Sequence, residues 1–401
     1  MPFTDTVQLT PLLYTFVWSL LPSSRHHSLV CSAGSQGYHA LKEMLQNGMP
    51  GNTILLESHD LMSVEEYVSS VYCAIFTHCR NVPLPPSVPH ITVHTNMKQL
   101  PQDFLRGNSG LRTVDLTPLP PFIELSTGFL MDCTSLATID LAPLSHIRKL
   151  PGSFLRRCLR LRMLDLAPLV HLEAIPPAFL ASTGLTTLDL TPLSKLKELN
   201  EVFLGACDSL STLDLAPLSQ LTELPESFLF RCSGLTKLDL SPLSKITEIP
   251  GNLLQDCTGL KTLDLSVFSS ATTVSPSFLH GCRGLTKLDL APLSNVTWIQ
   301  ESFLGDCTGL KSLDLTPLSN VISISDYFLY GCSNLSTVDL SPLRQLTELP
   351  KYFMGECVGL TTLDITPLTE VTKLPKTFLE GVPNYKTFVV GCDRFEKKKK
   401  K

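Results

Sequence analysis

In this 401-residue chain, two residue types recur at a spacing that could support chemistry. The first is aspartate: Asp115, Asp140, Asp165, Asp189, Asp214, Asp239, Asp264, Asp289, Asp314, Asp339 and Asp364, each set between two aliphatic residues. Side chains alternate across an extended strand, so a residue between two buried neighbours faces outward. Carboxylates stacked in such a column repel one another, and a basic partner or a cation would relieve the repulsion. Hydrogen bonds to adjacent threonine hydroxyls or backbone would give the same residues a purely structural use. The second type is cysteine, with nine of thirteen in a column: Cys133, Cys158, Cys207, Cys232, Cys257, Cys282, Cys307, Cys332 and Cys357.

Thiols at neighbouring ladder positions lie within bridging distance. An odd-numbered column, flanked by Asn108 in the first copy and Val382 in the last, fits small buried core fillers better than paired bridges. Unbridged thiols suit a reducing compartment, which favours a cytoplasmic location over the cell surface or secretion. The remaining metal-binding types upstream (Cys31, Cys73, His78, Cys79, His90 and His94) make no CxxC pair and no usual ligand spacing. No G-x-S-x-G, HExxH or phosphate loop is present. The expectation is a protein that is not an enzyme and uses no cofactor or metal.

The elements that carry both columns are copies of one sequence unit. From Leu111 the motif LxxLDLxPL recurs with its first leucine at Leu136, Leu161, Leu185, Leu210, Leu235, Leu260, Leu285, Leu310, Leu335 and Leu360. The period is 25 residues, with one 24-residue copy starting at Leu161. The full unit reads LxxLDLxPLxxLxxLPxxFLxxCxx, and a degenerate copy ending in LPQDFLRGNSG (100–110) precedes the first full one. Counting the first leucine as position 1, positions 4 and 6 alternate with 3, 5 and 7, the pattern of a short strand with one buried face. Proline at position 8 ends it, because proline cannot donate to a sheet ladder. A second extended piece at positions 12 to 15 and a short turn through Phe-Leu would bring the chain back. One copy cannot cover its own apolar face, so neighbours must stack and the ends need caps.

The run Phe-Leu-x-x-Cys-x-x-Leu-x-x-Leu-x-Leu-x-Pro resembles the BspA-like class of leucine-rich repeats over about residues 86–390. The 25-residue length and the LDLxPL strand depart from that class pattern. The resemblance implies a right-handed leucine-rich-repeat solenoid, a horseshoe with a parallel concave β-sheet, and a binding role. It implies no particular ligand, since family members, many of them surface proteins and some intracellular, differ too much in partner.

Three segments follow. Residues 1–85 do not repeat and are expected to form a small helical N-terminal cap, or a separate interaction module, with helices over 63–79, opened by the capping box Ser63-x-x-Glu66, and over 38–46. The array of about 12 repeats spans 86–384, and a closing strand with a lysine tail fills 385–401. The net charge of −5 gives no basic footprint for nucleic acid. Lys397 to Lys401 lack a hydrophobic anchor, so any contact with anionic lipid would be weak. The expected function is a non-catalytic scaffold that holds a protein partner with a basic segment against the concave aspartates. The alternative is a secreted or surface adhesin. In the copy at Leu260 to Gly284, Val267-Phe268 replaces Pro-Leu, which reads as a drifted repeat. The sequons at Asn295 and Asn334 decide nothing by themselves.

Overall fold

A computed structural model describes residues 99–391, apart from 101, 118, 120, 122, 384 and 388, together with three strands further upstream. The chain divides into two compact units, Met1–Leu188 and Asp189–Lys401, and the repeated turns described in each follow one design.

Within a turn, the leucines at positions 1, 4, 6 and 9 point inward. In the turn from Leu235, for instance, Leu235, Leu238, Leu240 and Leu243 are all buried. Positions 7 to 9 form a single-turn 3-10 helix with proline at its second residue, as in Ser241–Leu243 and Ala291–Leu293. Proline fits there because its fixed φ suits a helical first turn and its missing N–H would have had no partner in any case. The phenylalanines at position 19 are fully buried and stack turn on turn. Phe104, Phe129, Phe154 and Phe179 form one run, with centroids 5.7–6.2 Å apart. In the second unit Phe278, Phe303, Phe328, Phe353 and Phe378 form another.

The turns are tied together mainly through the Phe-Leu segment. There the backbone alternates, with positive φ at positions 18, 20 and 22, as at Ser227 (60°), Leu229 (55°) and Arg231 (56°). The alternation aims successive N–H groups at opposite neighbours. Ser227 N–H donates to Gly251 O (2.9 Å) and Arg231 N–H to Gln255 O (2.7 Å), both in the next turn. Leu254 N–H donates back to Phe228 O (3.3 Å). A left-handed leucine is sterically costly, and three inter-turn bonds per repeat hold it in place. Glycine at position 25 permits the close stacking. A Cβ on Gly234 would meet the carbonyl oxygens of Asp208 and Leu210 at 2.6 and 2.8 Å.

The strand side is more sparsely bonded than the sequence pattern implies. A five-stranded parallel sheet runs β1 (Val30–Ala33), β2 (Thr53–Ser58), β3 (His90–Val93), β4 (Thr113–Asp115) and β5 (Thr138–Ile139) in sequence order. A second sheet of three parallel strands, β6 (Thr273–Val274), β7 (Trp298–Ile299) and β8 (Ser323–Ile324), falls on positions 14 and 15. β9 (Leu363–Asp364) pairs with β10 (Val389–Val390), placing the expected closing strand at the end of the YKTFVV segment, after a 3-10 turn over Tyr385–Thr387. Elsewhere in the second unit the strand side keeps isolated bonds at position 2, such as Thr286 N–H to Lys261 O (3.2 Å). The strand is short for a physical reason: the aspartate at position 5 and the proline at 8 turn the chain into the 3-10 helix at once.

Part of the N-terminal segment, for which a helical cap is expected, is strand. β1 and β2 lie within residues 1–85 and extend the parallel sheet, and their register, Val30 against Leu55, equals the 25-residue period of the array. The helices expected over 38–46 and 63–79 lie outside the described residues. Among the described residues no helix is long and apolar enough to cross a membrane.

The drifted repeat keeps its fold by exchanging volume. Phe268 occupies the buried position 9 on a 3-10 helix that survives without proline, and the small Ala271 sits at position 12. The ring meets Phe278 edge-on at 6.3 Å.

Truncating Phe303, which stacks on Phe278 and Phe328 at 6.3 and 5.7 Å, should destabilise the second unit. Loss of a fully buried phenylalanine costs about 3–5 kcal/mol. Phe303→Ala should therefore lower the denaturant midpoint of a circular-dichroism melt, and an unchanged midpoint would contradict the stacked column.

Candidate functional site

The aspartates lie where the sequence spacing puts them, at position 5, two residues before the turn at positions 7 to 9, which among the described residues is a 3-10 helix in nine of the eleven copies. Ten are exposed and Asp115 is half-buried. Every one makes the same bond: its Oδ1 accepts the backbone N–H two residues on. The partners are Thr117, Ala142, Ala167, Thr191, Ala216, Ser241, Ser266, Ala291, Thr316, Ser341 and Thr366, at 2.8–2.9 Å. That N–H is an orphan of the helix start, since the turn's own bonds begin at position 9, as in Leu243 N–H to Leu240 O. The aspartate thus acts as a side-chain cap and is a structural acceptor in all eleven copies.

Where position 7 carries a hydroxyl, that group can bond the carboxylate too. Thr366 Oγ1 donates to Asp364 Oδ1 at 2.7 Å and Ser341 Oγ to Asp339 Oδ2 at 2.8 Å. The hydroxyl of Thr191, Ser241, Thr316 or Thr366, followed by the backbone N–H, holds the carboxyl of Asp189, Asp239, Asp314 or Asp364 below the usual 3.8. The carboxyl groups are thereby fixed in orientation at each step of the stack. On the same side, Lys237 and Lys287 at position 3 and Lys261 and Lys311 at position 2 are exposed.

The cysteine column is buried, and its nine thiols are free. Cysteine does more here than fill space. In eight copies Sγ lies 2.9–3.3 Å from the position-20 carbonyl of the preceding turn, as in Cys232 to Leu204 and Cys257 to Leu229. The Leu229 carbonyl accepts from Cys232 N–H as well, so both its lone pairs are used. Thr183 replaces cysteine in the 24-residue copy and donates instead to Leu180 O of its own turn (2.9 Å). Burial pushes the thiols of Cys133, Cys257 and Cys357 up to about 12, far from the thiolate form that reacts or binds metal. Among the described residues no group of three or more His, Cys, Asp or Glu could hold a metal ion.

Sequence reasoning missed an aromatic group on the turn side. Tyr327 and Tyr352 stack at 4.6 Å with 7° between their planes, and Tyr330 meets both edge-on. The available signal was a break in pattern at positions 18 and 21, where other turns carry Ser153, Ser227, Ser277, Ser302 or Gly305.

Two tests follow from this geometry. Asp239→Ala removes a cap and should lower the melting temperature by a few degrees, whereas Asp239→Asn keeps an oxygen acceptor and should be nearly silent. A folded-state carboxyl held below 3.8 contributes stability that is complete above that value and lost as pH falls through the lower folded value. The Ala variant's deficit should therefore shrink in acid below about pH 4, and a deficit constant down to pH 2 would argue against the cap. For the thiols, a colorimetric disulfide reagent near pH 8 should leave the nine column cysteines unreacted until guanidinium unfolds the chain. Rapid native reaction of more than the four remaining cysteines (thirteen less nine) would show the column to be open.

The family model for the BspA type leucine rich repeat region matches in six copies, over residues 171–286 and 264–386. Among solved structures, a leucine-rich repeat protein from Bacteroides ovatus is 20% identical over 69% of this chain and 79% of its own, with a TM-score of 0.44. A leucine-rich cell surface protein from Faecalibacterium prausnitzii is 14% identical over 77% of this chain and 72% of its own, with a TM-score of 0.35. The functional domain of InlJ from Listeria monocytogenes, described as including a cysteine ladder, is 19% identical over 67% of this chain and 63% of its own, with a TM-score of 0.33. No curated protein matches the chain. The family model covers more than half of the sequence, over the same turns whose Phe-Leu segments, cysteines and Leu-Asp-Leu strands are described above, and the chain belongs to the BspA-type leucine-rich repeat family.

Proposed function

We propose that this chain is a non-catalytic binding module that works at the cell surface or in the secreted space and holds a protein partner with a basic segment against its aspartate face. The observation that carries this reading is the column of capped carboxylates. One oxygen of each is tied to the backbone, so the group stands in a fixed orientation at every turn, and binding would cost little further ordering. Membership of the BspA type weighs toward the surface, as the resemblance implies for many of its members. The buried free thiols are the one observation that favours the cytoplasmic scaffold instead. Glycan on Asn295 or Asn334, both exposed, in protein recovered from its natural source would decide for the surface.

The partner face is tested by replacing Asp214, Asp239, Asp264 and Asp289 together with asparagine, which keeps the capping oxygen and removes four charges. The probe is a labelled extended peptide alternating lysine and threonine. Wild type should bind it with an affinity that falls steeply between low and physiological salt. The fourfold variant should bind about tenfold more weakly while melting like wild type, a loss of ~1.4 kcal/mol of binding free energy. Equal binding by the variant would leave the aspartates as caps alone.

A further inference from the structure

The tyrosine group on the turn side has no explanation in folding. Tyr327 and Tyr352 occupy position 18 with φ of 64° and 56°, a left-handed conformation that bulky residues adopt at a cost. At the same position the flanking turns use Ser302 and Thr377, and position 21, where Tyr330 stands, is Gly305 in one neighbouring turn and Gly355 in the other. Small residues therefore suffice for the inter-turn bonds, which Tyr327 still makes through its N–H to Lys351 O (3.0 Å). Nor do the rings fill the core: Tyr327 remains 37% exposed, and Trp298, 44% exposed, reaches Ser325 Oγ through its Nε1 at 3.4 Å. Outward aromatics on successive turns form an apolar surface that water contacts.

The charge around this surface is one-sided. Partial burial, then the field of Tyr352 and of the carboxylates Asp326 and Glu301, raises the Tyr327 hydroxyl above its ordinary value. Partial burial, then Glu356, Asp306 and Glu380, does the same to Tyr330. Against these five carboxylates, Lys351 faces Asp326 at 3.8 Å and His280 faces Asp306 at 3.8 Å, so the local field stays negative. A neutral sugar could stack on the rings but would make no use of the field, and an acidic partner would be repelled. A planar cation with apolar faces matches both properties: the guanidinium of arginine stacks on tyrosine and bonds carboxylates through its fork of N–H groups. Lysine matches the charge but offers no plane to stack.

We infer that Tyr327, Tyr330 and Tyr352, with the carboxylates around them, form a docking surface for an arginine-bearing segment of a protein partner, separate from the aspartate face. An arginine side chain lies against an outer tyrosine ring while its N–H groups meet Glu356 or Glu301. The surface spans four consecutive turns, those beginning at Leu285, Leu310, Leu335 and Leu360, so it recognises a short segment rather than a long one.

The test replaces the three tyrosines by residues the array already uses there: Tyr327→Ser, Tyr330→Gly and Tyr352→Ser in one full-length variant. It should fold and melt close to the wild-type temperature, because serine and glycine already hold these positions in other turns. The probe is a labelled peptide alternating arginine and glycine, with its lysine counterpart as the comparison. Wild type should favour the arginine peptide several-fold, and the triple variant should bind it about tenfold more weakly. The variant with asparagine at Asp214, Asp239, Asp264 and Asp289 should bind it as wild type does, which keeps this result distinct from that of the aspartate face. Unchanged binding by a folded triple variant would overturn the inference, as would loss of binding in the asparagine variant alone. So would a peptide that binds only to a variant with Lys397 to Lys401 replaced by serine and not to wild type, since the occupant would then be the chain's own tail.

Discussion

Each turn of this protein depends on the backbone of its Phe-Leu segment reaching both neighbours at once. A chain with uniform φ would send its N–H groups along a helix or to one strand partner. Alternating left-handed residues send them up, down and up again, as Asn252, Leu254 and Asp256 do, and the stack is closed by bonds that no single turn can make. The cost is a left-handed leucine in nearly every copy, with methionine at Met354. Other features answer that constraint. Phenylalanine at position 19 stacks into its counterpart and fixes the turn spacing. Cysteine at 23 reaches back to the carbonyl that the left-handed residue leaves with a spare lone pair. Glycine at 25 keeps Cβ out of the carbonyls one turn away.

The aspartates answer a second constraint, set by the tight turn at positions 7 to 9. That turn ends the strand early, with proline at position 8 in every copy but the one at Leu260, and leaves the position-7 N–H without a partner inside it. A carboxylate two residues earlier supplies one, and the same requirement at every turn is sufficient to repeat aspartate at every turn. A binding use, if selected, acts on groups the fold already orients. Capping and recognition therefore make opposite demands on charge: a cap needs only an oxygen, whereas a basic partner needs the anion.

The turn side and the strand side also differ in what they can vary. Strand-side positions 3, 5 and 7 repeat threonine, aspartate and small residues with few departures. The turn-side positions 18 and 21 range from serine and glycine to tyrosine, because their backbone makes the inter-turn bonds and their side chains are free to differ. Pattern breaks there are the places where an individual turn has acquired its own surface chemistry.

The sequence by itself determined the repeat, its period, the inward leucines, the buried Phe and Cys columns and the outward aspartates, because each follows from side-chain polarity recurring at a fixed interval. It pointed to the family for the same reason. The strands β1 and β2 were not legible: Val30–Ala33 and Thr53–Ser58 are short runs that lack both the Leu-Asp-Leu signature and the strict alternation of apolar and polar residues that marks a strand. Where the inter-turn bonds run was decided only in tertiary structure. Backbone groups carry no residue identity, and left-handed leucines contradict local propensity until a neighbouring turn supplies their partners. The tyrosine surface was hidden likewise, since Tyr327 and Tyr352 stand 25 residues apart in the chain and meet only when two turns stack.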